Sequence, residues 1–167
     1  MLGLDVLSWF VNIPQEWAVF LLSMLPITEL RAAVPIGLTV YKLPVEKVWL
    51  LAVLGNMTPT LFILWLMPKL HDWVVNHHFL GPILTKKLKQ AESKFSGQYF
   101  KYGAIALILF VGIPLPFTGA WSGSLACFVF KIEFKKALPL IFIGVCLAAT
   151  VVTFITLFGG GIWRIFF

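Results

Sequence analysis

Two ionisable side chains stand two positions apart in sequence that otherwise reads as lipid-soluble: Glu29 and Arg31, within L-P-I-T-E-L-R-A-A-V-P-I-G at residues 25–37. A charge in the hydrocarbon core costs roughly 2.5–3.5 kcal/mol on insertion scales, so each needs the other, a cavity or a ligand as compensation. The guanidinium suits an anionic group such as a phosphate or carboxylate, and the carboxyl suits a counter-ion or a proton carrier. Residues two apart on a regular helix do not face each other, so Glu29 need not neutralise Arg31 locally and can pair elsewhere. Desolvation raises the pKa of such a carboxyl while Arg31 and nearby helix N-termini lower it; where desolvation prevails, Glu29 exchanges a proton near neutrality.

The backbone that carries this pair is expected to be broken. Pro26 removes a donor just before the charges, and Pro35 disfavours helical geometry at Val34. Trp17 to Leu25 is an apolar run of about 14 Å as a helix, too short to cross a bilayer. Leu30 to Val40 returns over a similar length. The pair reads as a re-entrant hairpin with its tip at Pro26 to Arg31; the alternative is one kinked transmembrane helix.

Composition agrees with a membrane setting. Of 167 residues, 60% are hydrophobic and only 12% charged, with a mean hydropathy of +0.95. This describes an integral membrane protein of one domain, with no room for an added soluble one. The net charge of +6 has a local source between Lys69 and Lys101, which suits a loop facing anionic lipid, and no nucleic-acid motif accompanies it. Cys127 and Cys146 sit in apolar runs, where a thiol behaves as a small hydrophobe, and no disulfide is expected.

Before the first hairpin, Leu4, Leu7 and Val11 recur at helical spacing beside Trp9 and Phe10, an interfacial helix; its one charge, Asp5, does not make the basic region a signal peptide needs. After the hairpin, Leu43 to Leu66 is long enough to span, with Trp49 and Trp65 near its ends as interfacial aromatics. Asn56-Met57-Thr58 matches a glycosylation sequon but lies inside this span before Pro59, so Gly55, Asn56 and Pro59 are read as a site of close helix packing. His71, Asp72, His77 and His78 lack a cysteine and neighbour Trp73 and Phe79, so they read as interfacial rather than metal-binding. Leu84, Leu88, Ala91, Phe95 and Tyr99 form an apolar stripe with Lys86, Lys87, Lys89 and Lys94 mostly off it, an amphipathic surface helix.

The second half repeats the first. Tyr102 to Val111 is a short apolar run, Gly112 to Gly119 a break containing Pro114, Pro116 and Gly119, Ala120 to Phe130 a return, and Lys135 to Leu157 a second span. Pro26-Ile27-Thr28 aligns with Pro116-Phe117-Thr118 at a separation of 90 (116 minus 26), and Glu46-Lys47 with Lys135-Lys136 at 89 (135 minus 46). Thr28 and Thr118 each precede a helical segment and can serve as N-caps, which would bring two helix N-termini, Arg31 and the hydroxyls of Ser122 and Ser124 to an anionic group.

Charge bias sets the topology. With both hairpins re-entrant, one side of the membrane holds Lys69, Lys86, Lys87, Lys89, Lys94, Lys101, Lys131, Lys135 and Lys136. The other holds Lys42, Lys47 and Arg164; Arg31 completes the thirteen basic residues. The asymmetry puts the central loop in the cytoplasm and both termini outside, and makes the repeats inverted. The expected fold is an all-α integral membrane protein: an inverted repeat of re-entrant helix hairpin plus transmembrane helix (repeat 1 at about 14–68, repeat 2 at about 102–158), joined by an amphipathic connector (about 69–101) and carrying interfacial amphipathic helices.

L-P-I-T-E-L-R-A-A-V-P-I-G and P-L-P-F-T-G-A-W-S-G-S-L resemble the paired signatures of the small multidrug export family. That family is similar to the DedA (VTT domain) membrane proteins, some of which are linked to translocation of polyprenyl-phosphate or phospholipid. The resemblance implies a prokaryotic plasma (inner) membrane and a site at Thr28, Glu29, Arg31, Thr118, Trp121, Ser122 and Ser124. DedA proteins typically carry an arginine in the second hairpin too; here Trp121, Ser122 and Ser124 stand in that region.

Three functions fit these residues. The first is a transporter or flippase for an anionic, lipid-linked phosphate substrate, with proton coupling through Glu29. The second is a proton-coupled exporter of small cations with Glu29 as counter-ion, and the third a membrane assembly factor without transport. No nucleophile–base pair and no metal-ligand spacing appears, so neither an enzyme nor a cofactor is expected. Membrane lipids are the expected surroundings, and a homodimer would supply walls that two spans and two hairpins lack.

Overall fold

The computed structural model describes residues 13–75, 99–115, 118–129 and 132–159. The expected interfacial helix before residue 13, His77 and His78, Pro116 and most of the amphipathic connector lie outside the described residues. Within them the chain is helical, with no strand. In order come α1 (Gln15–Met24), α2 (Glu29–Pro35) running directly into a π-helical turn (Ile36–Val40), α3 (Val45–Val75), α4 (Tyr99–Gly112), α5 (Ala120–Val129) and α6 (Phe134–Phe158). Short, short, long is followed by short, short, long.

Among the described residues, two segments are long and apolar enough to cross a membrane, Val45–Leu66 of α3 and Phe134–Phe158 of α6, of 22 and 25 residues. At 1.5 Å per residue they reach roughly 33 and 38 Å, against about 30 Å of hydrocarbon. Their outward faces are apolar: Leu50, Leu54, Phe62 and Trp65 on α3, Phe142, Ile143, Phe154 and Ile155 on α6. Exposed apolar surface on that scale is a liability in water and the proper surface in lipid. The short helices cannot span; α1 and α5 have 10 residues each and α2 has 7.

The first break falls at residues 25–28, shorter than the expected tip of Pro26 to Arg31 because Glu29, Leu30 and Arg31 already belong to α2, and Pro35 does not break the chain. It lies in the last turn of α2 at φ −56 and ψ −44. Having no N–H, Pro35 cannot donate to the carbonyl four residues back, and the chain absorbs the lost bond by widening into the π turn rather than by leaving the helix. Tyr41 N–H donates to the Ile36 carbonyl (3.0 Å) and Thr39 Oγ1 to the Pro35 carbonyl (2.7 Å). Lys42, at φ 52, then closes the turn in a left-handed conformation usually left to glycine.

The structure divides into two compact units, residues 1–56 with 148–167 and residues 57–147. In the first, α1 packs on α2, and α1 and the π turn meet the first half of α3. Gly37 fits beside Val48 and Val19, and Gly55 lets α3 approach the Phe20 carbonyl of α1 so closely that a Cβ would overlap it. Ser23 Oγ, fully buried, donates to the Ala52 carbonyl at 2.6 Å. Trp49 Nε1 donates to Thr150 Oγ1 of α6 at 3.2 Å. At the start of α1, a hydrogen bond of 2.7 Å from the Lys47 ammonium holds the exposed Glu16 carboxyl below its ordinary range. Gly55 is the eleventh residue of the 22-residue span that begins at Val45, so α1 ends beside the middle of that span.

In the second unit, Val111 is the knob between α4, α5 and α6. Its Cγ2 would stand 2.5 Å from a Cβ on Gly123, and its Cβ 2.7 Å from one on Gly144. Gly112, the last residue of α4, lies against Leu147, again near the middle of a long helix.

Burial follows the same register in both halves. On α3, Val48, Ala52, Gly55, Asn56, Pro59 and Thr60 are buried; 89 residues on (137 minus 48), so are Ala137, Ile141, Gly144, Val145, Ala148 and Ala149 of α6. Leu30, Ala33, Val34 and Gly37 match Ala120, Gly123, Ser124 and Cys127 at a separation of 90 (120 minus 30), all buried. These are the two separations read from the Pro-x-Thr and charge pairs.

Candidate functional site

Glu29 opens α2, and its backbone explains what its side chain does. Its φ is +47, in the left-handed region, which costs a non-glycine residue of order 1–2 kcal/mol. The conformation is held by Glu29 N–H donating to the Leu25 carbonyl at 2.9 Å and Ala32 N–H to the Thr28 carbonyl at 3.2 Å. Gly119, the residue 90 positions on (119 minus 29), has a φ of +125. Both breaks thus turn at the same place, through a glycine in one half and a strained carboxylic acid in the other.

That conformation lets Glu29 and Arg31 meet, one of the compensations open to the two charges, although regular helix spacing would not require it. Arg31 Nη2 lies 3.9 Å from Glu29 Oε2. The spacing rule holds between residues in regular helix, and a left-handed first residue swings its side chain out of that pattern. The two side chains differ in access: Glu29 is 7% exposed and Arg31 24%. A hydrogen-bonded ion pair has an N–O separation of about 2.7–2.9 Å, so this one is loose, with the guanidinium on the accessible side and the carboxylate behind it.

The threonines act differently from simple caps. Thr28 occupies the N-cap position of α2 but makes no capping bond; its Oγ1 donates to the Leu22 carbonyl at 2.6 Å. The reason is its αR backbone (φ −89, ψ −46), since capping calls for an extended residue. Thr118 precedes Gly119 and sits one place too early for α5. Its Oγ1 lies 2.9 Å from the Ile113 carbonyl and 2.7 Å from that of Leu115, and accepts from Leu115 N–H at 3.2 Å. Each hydroxyl ties its break back to the end of the preceding short helix.

Of the other expected site residues, Trp121 and Ser122 of α5 are half-buried. Ser122 Oγ donates to the Gly119 carbonyl (3.3 Å), and Ser124 Oγ, fully buried, to that of Ala120 (2.6 Å). The Ser124 hydroxyl thus spends its proton within its own helix. Pro114 lies in the second break, as expected, and Thr28, Glu29 and Arg31 belong to the first unit while Thr118, Trp121, Ser122 and Ser124 belong to the second. Sequence reasoning missed Ser23, whose signal was a lone hydroxyl in the apolar run before Pro26.

Glu29→Gly is expected to raise stability by about 1 kcal/mol, because glycine adopts positive φ without the Cβ penalty. A melting temperature in detergent at or above that of the unaltered protein checks this; a clear drop would mean that the side chain, not the backbone, secures the break.

Helices able to span a membrane, apolar outward faces and a sequestered ion pair at a helix break define an integral membrane protein. The chain belongs to the family described as "Putative small multi-drug export protein", which matches residues 29–151, from Glu29 into the second half of α6. No curated protein and no solved structure matches it.

Proposed function

We propose that this protein moves an amphiphilic anion, in the first place a lipid-linked phosphate, across the membrane. Arg31 engages the anionic group and Glu29 exchanges a proton. The observation that carries this reading is the 3.9 Å pair at the break, whose guanidinium is three times as accessible as its carboxylate, so the cation is the member of the pair that an incoming phosphate can reach. The similarity of the small multidrug export family to DedA proteins, some of which are linked to translocation of polyprenyl-phosphate or phospholipid, is in keeping with the same substrate class, although the second break lacks the arginine typical of DedA proteins.

In this reading the two short-helix pairs are re-entrant hairpins, the halves form an inverted repeat, and the central loop is cytoplasmic in a prokaryotic inner membrane. The burial registers support the repeat, and the lysine bias supports its inversion. Short helices ending beside the middle of long ones support re-entry, as does Ile27, which is 95% exposed at the first turn and suits hydrocarbon better than water. Transport rather than catalysis is the role, without a cofactor, and a homodimer supplies the remaining walls of the path. The family description favours a second reading, export of small cations with Glu29 as counter-ion.

Native mass spectrometry of the purified protein tests the proposal. We expect a co-purifying phosphate-bearing lipid on the unaltered protein that is depleted from Arg31→Ala, and a dimer mass. Identical lipid adducts on both proteins would overturn the assignment of Arg31.

A further inference from the structure

The two halves share a burial register but not their chemistry. Where the first has Glu29 and Arg31, the second has Gly119 and Trp121; where α3 has Asn56, α6 has Val145. Asn56 is 1% exposed and Val145 fully buried. An amide in a matched interior position is a cost that the other half avoids with valine, since a buried polar group must be accommodated. Asn56 occurs in the half that holds the carboxylate.

Ala52 receives the Ser23 hydroxyl, and Gly55 abuts Phe20 and Ser23. Asn56 follows Ala52 by four residues, so it stands one turn further along the same face of α3. One turn beyond Ser23 on α1 is the break itself. Glu29 is bonded there through its N–H to Leu25, two residues past Ser23. Asn56 therefore stands one turn past the Ser23–Ala52 bond on α3, and Glu29 lies past the same bond beyond the end of α1; both are buried.

We infer that Asn56 is a positioning residue of the Glu29 site, its amide orienting the carboxyl and favouring its charged form. The inference rests on the reading of Glu29 as the proton-exchanging group. Among the described residues packed around the break, Arg31 of α2 is the nearby charge; Glu16 of α1 and Lys47 of α3 pair with each other at the far end of those helices. The rest of α1 and α3 up to Asn56, and α6 from Ala148 to Phe158, bring no other charged side chain except Glu46, in the first turn of α3. An amide donor beside a carboxylate stabilises the ionised form, so its removal shifts protonation to higher pH.

The test is labelling of the full-length protein in detergent with dicyclohexylcarbodiimide, which reacts with protonated carboxyls in apolar surroundings. Labelling is read by intact mass as a function of pH, and Glu29→Gln identifies the Glu29 adduct. Asn56→Val, which installs the residue the other half carries, is expected to raise the midpoint of Glu29 labelling by about one pH unit, a tenfold change in proton affinity. Asn56→Ser, which keeps a smaller donor, is expected to fall between and serves if the valine variant does not fold. A midpoint unchanged in a folded variant would overturn the inference and leave Asn56 a packing residue. The measurement uses no substrate, so a failure of the transport reading in lipid assays is separable from a failure here.

Discussion

Arg31→Ala is expected to lower the transfer of a fluorescent phosphatidic acid across liposome membranes by about tenfold or more, because a charge-assisted hydrogen bond is worth roughly 1.5–3 kcal/mol. Arg31→Lys is expected to keep part of the rate, since a lysine retains the charge and loses the fork. Glu29→Gln is expected to transport at the optimal pH of the unaltered protein but with a flat profile between about pH 5.5 and 8.5, and Glu29→Asp to keep part of the pH dependence, as fits an intramembrane carboxyl that carries a proton. Dithionite quenching of the labelled lipid reads the rate. Efflux of ethidium, run in parallel, reads the competing function. A rate unaffected by Arg31→Ala, with ethidium efflux abolished by Glu29→Gln, would replace the anion with a cation. Indifference to both changes would leave an assembly role.

Gly55→Ala is expected to destabilise the first unit by about 3 kcal/mol, the upper end for an overpacked interior. The added methyl would overlap the Phe20 carbonyl, which is backbone and cannot rotate aside. Helix α1 must then withdraw from α3. With it goes the bond from Ser23 to Ala52, and with that the level of the break and of Glu29. Gly103→Ala is the control of opposite sign: nothing lies within 4 Å of a Cβ there, and alanine in a helix interior gains up to about 1 kcal/mol over glycine. Seven tryptophans provide the fluorescence for thermal melts in detergent. A Gly55→Ala melt that coincides with the unaltered protein would show that α1 and α3 are not held as closely as described.

The helical content and the two spans were legible in the sequence because apolar runs of that length have few other uses. The first break was legible at Pro26, where the proline follows a complete short run. Pro35 was not, because a missing donor says only that a bond is lost; whether the chain ends or widens depends on which donors reach the carbonyls that follow, here Tyr41 N–H to Ile36 and the Thr39 hydroxyl to Pro35. The contact of Glu29 with Arg31 was hidden for a related reason. Spacing rules assume regular helix, and nothing in T-E-L-R announces that Glu29 takes a positive φ, although Gly119 at the matching place in the other half is the clue that could have been read. Thr28 and Thr118 were read as N-caps, but a hydroxyl can bond backward as readily as forward, and the αR backbone of Thr28 decides for backward.

The end of α1 beside the middle of α3 has an electrical consequence in the proposed orientation. A unit charge crossing the full membrane potential gains or loses about 2.3 kcal/mol per 100 mV. A group held halfway experiences about half of that, on the order of 1 kcal/mol. An ionised Glu29 beside Arg31 carries no net charge and is indifferent to the voltage. Protonation leaves the guanidinium alone, and each proton that enters or leaves the pair then moves through the field, so the cycle would draw on the electrical as well as the chemical part of the proton gradient.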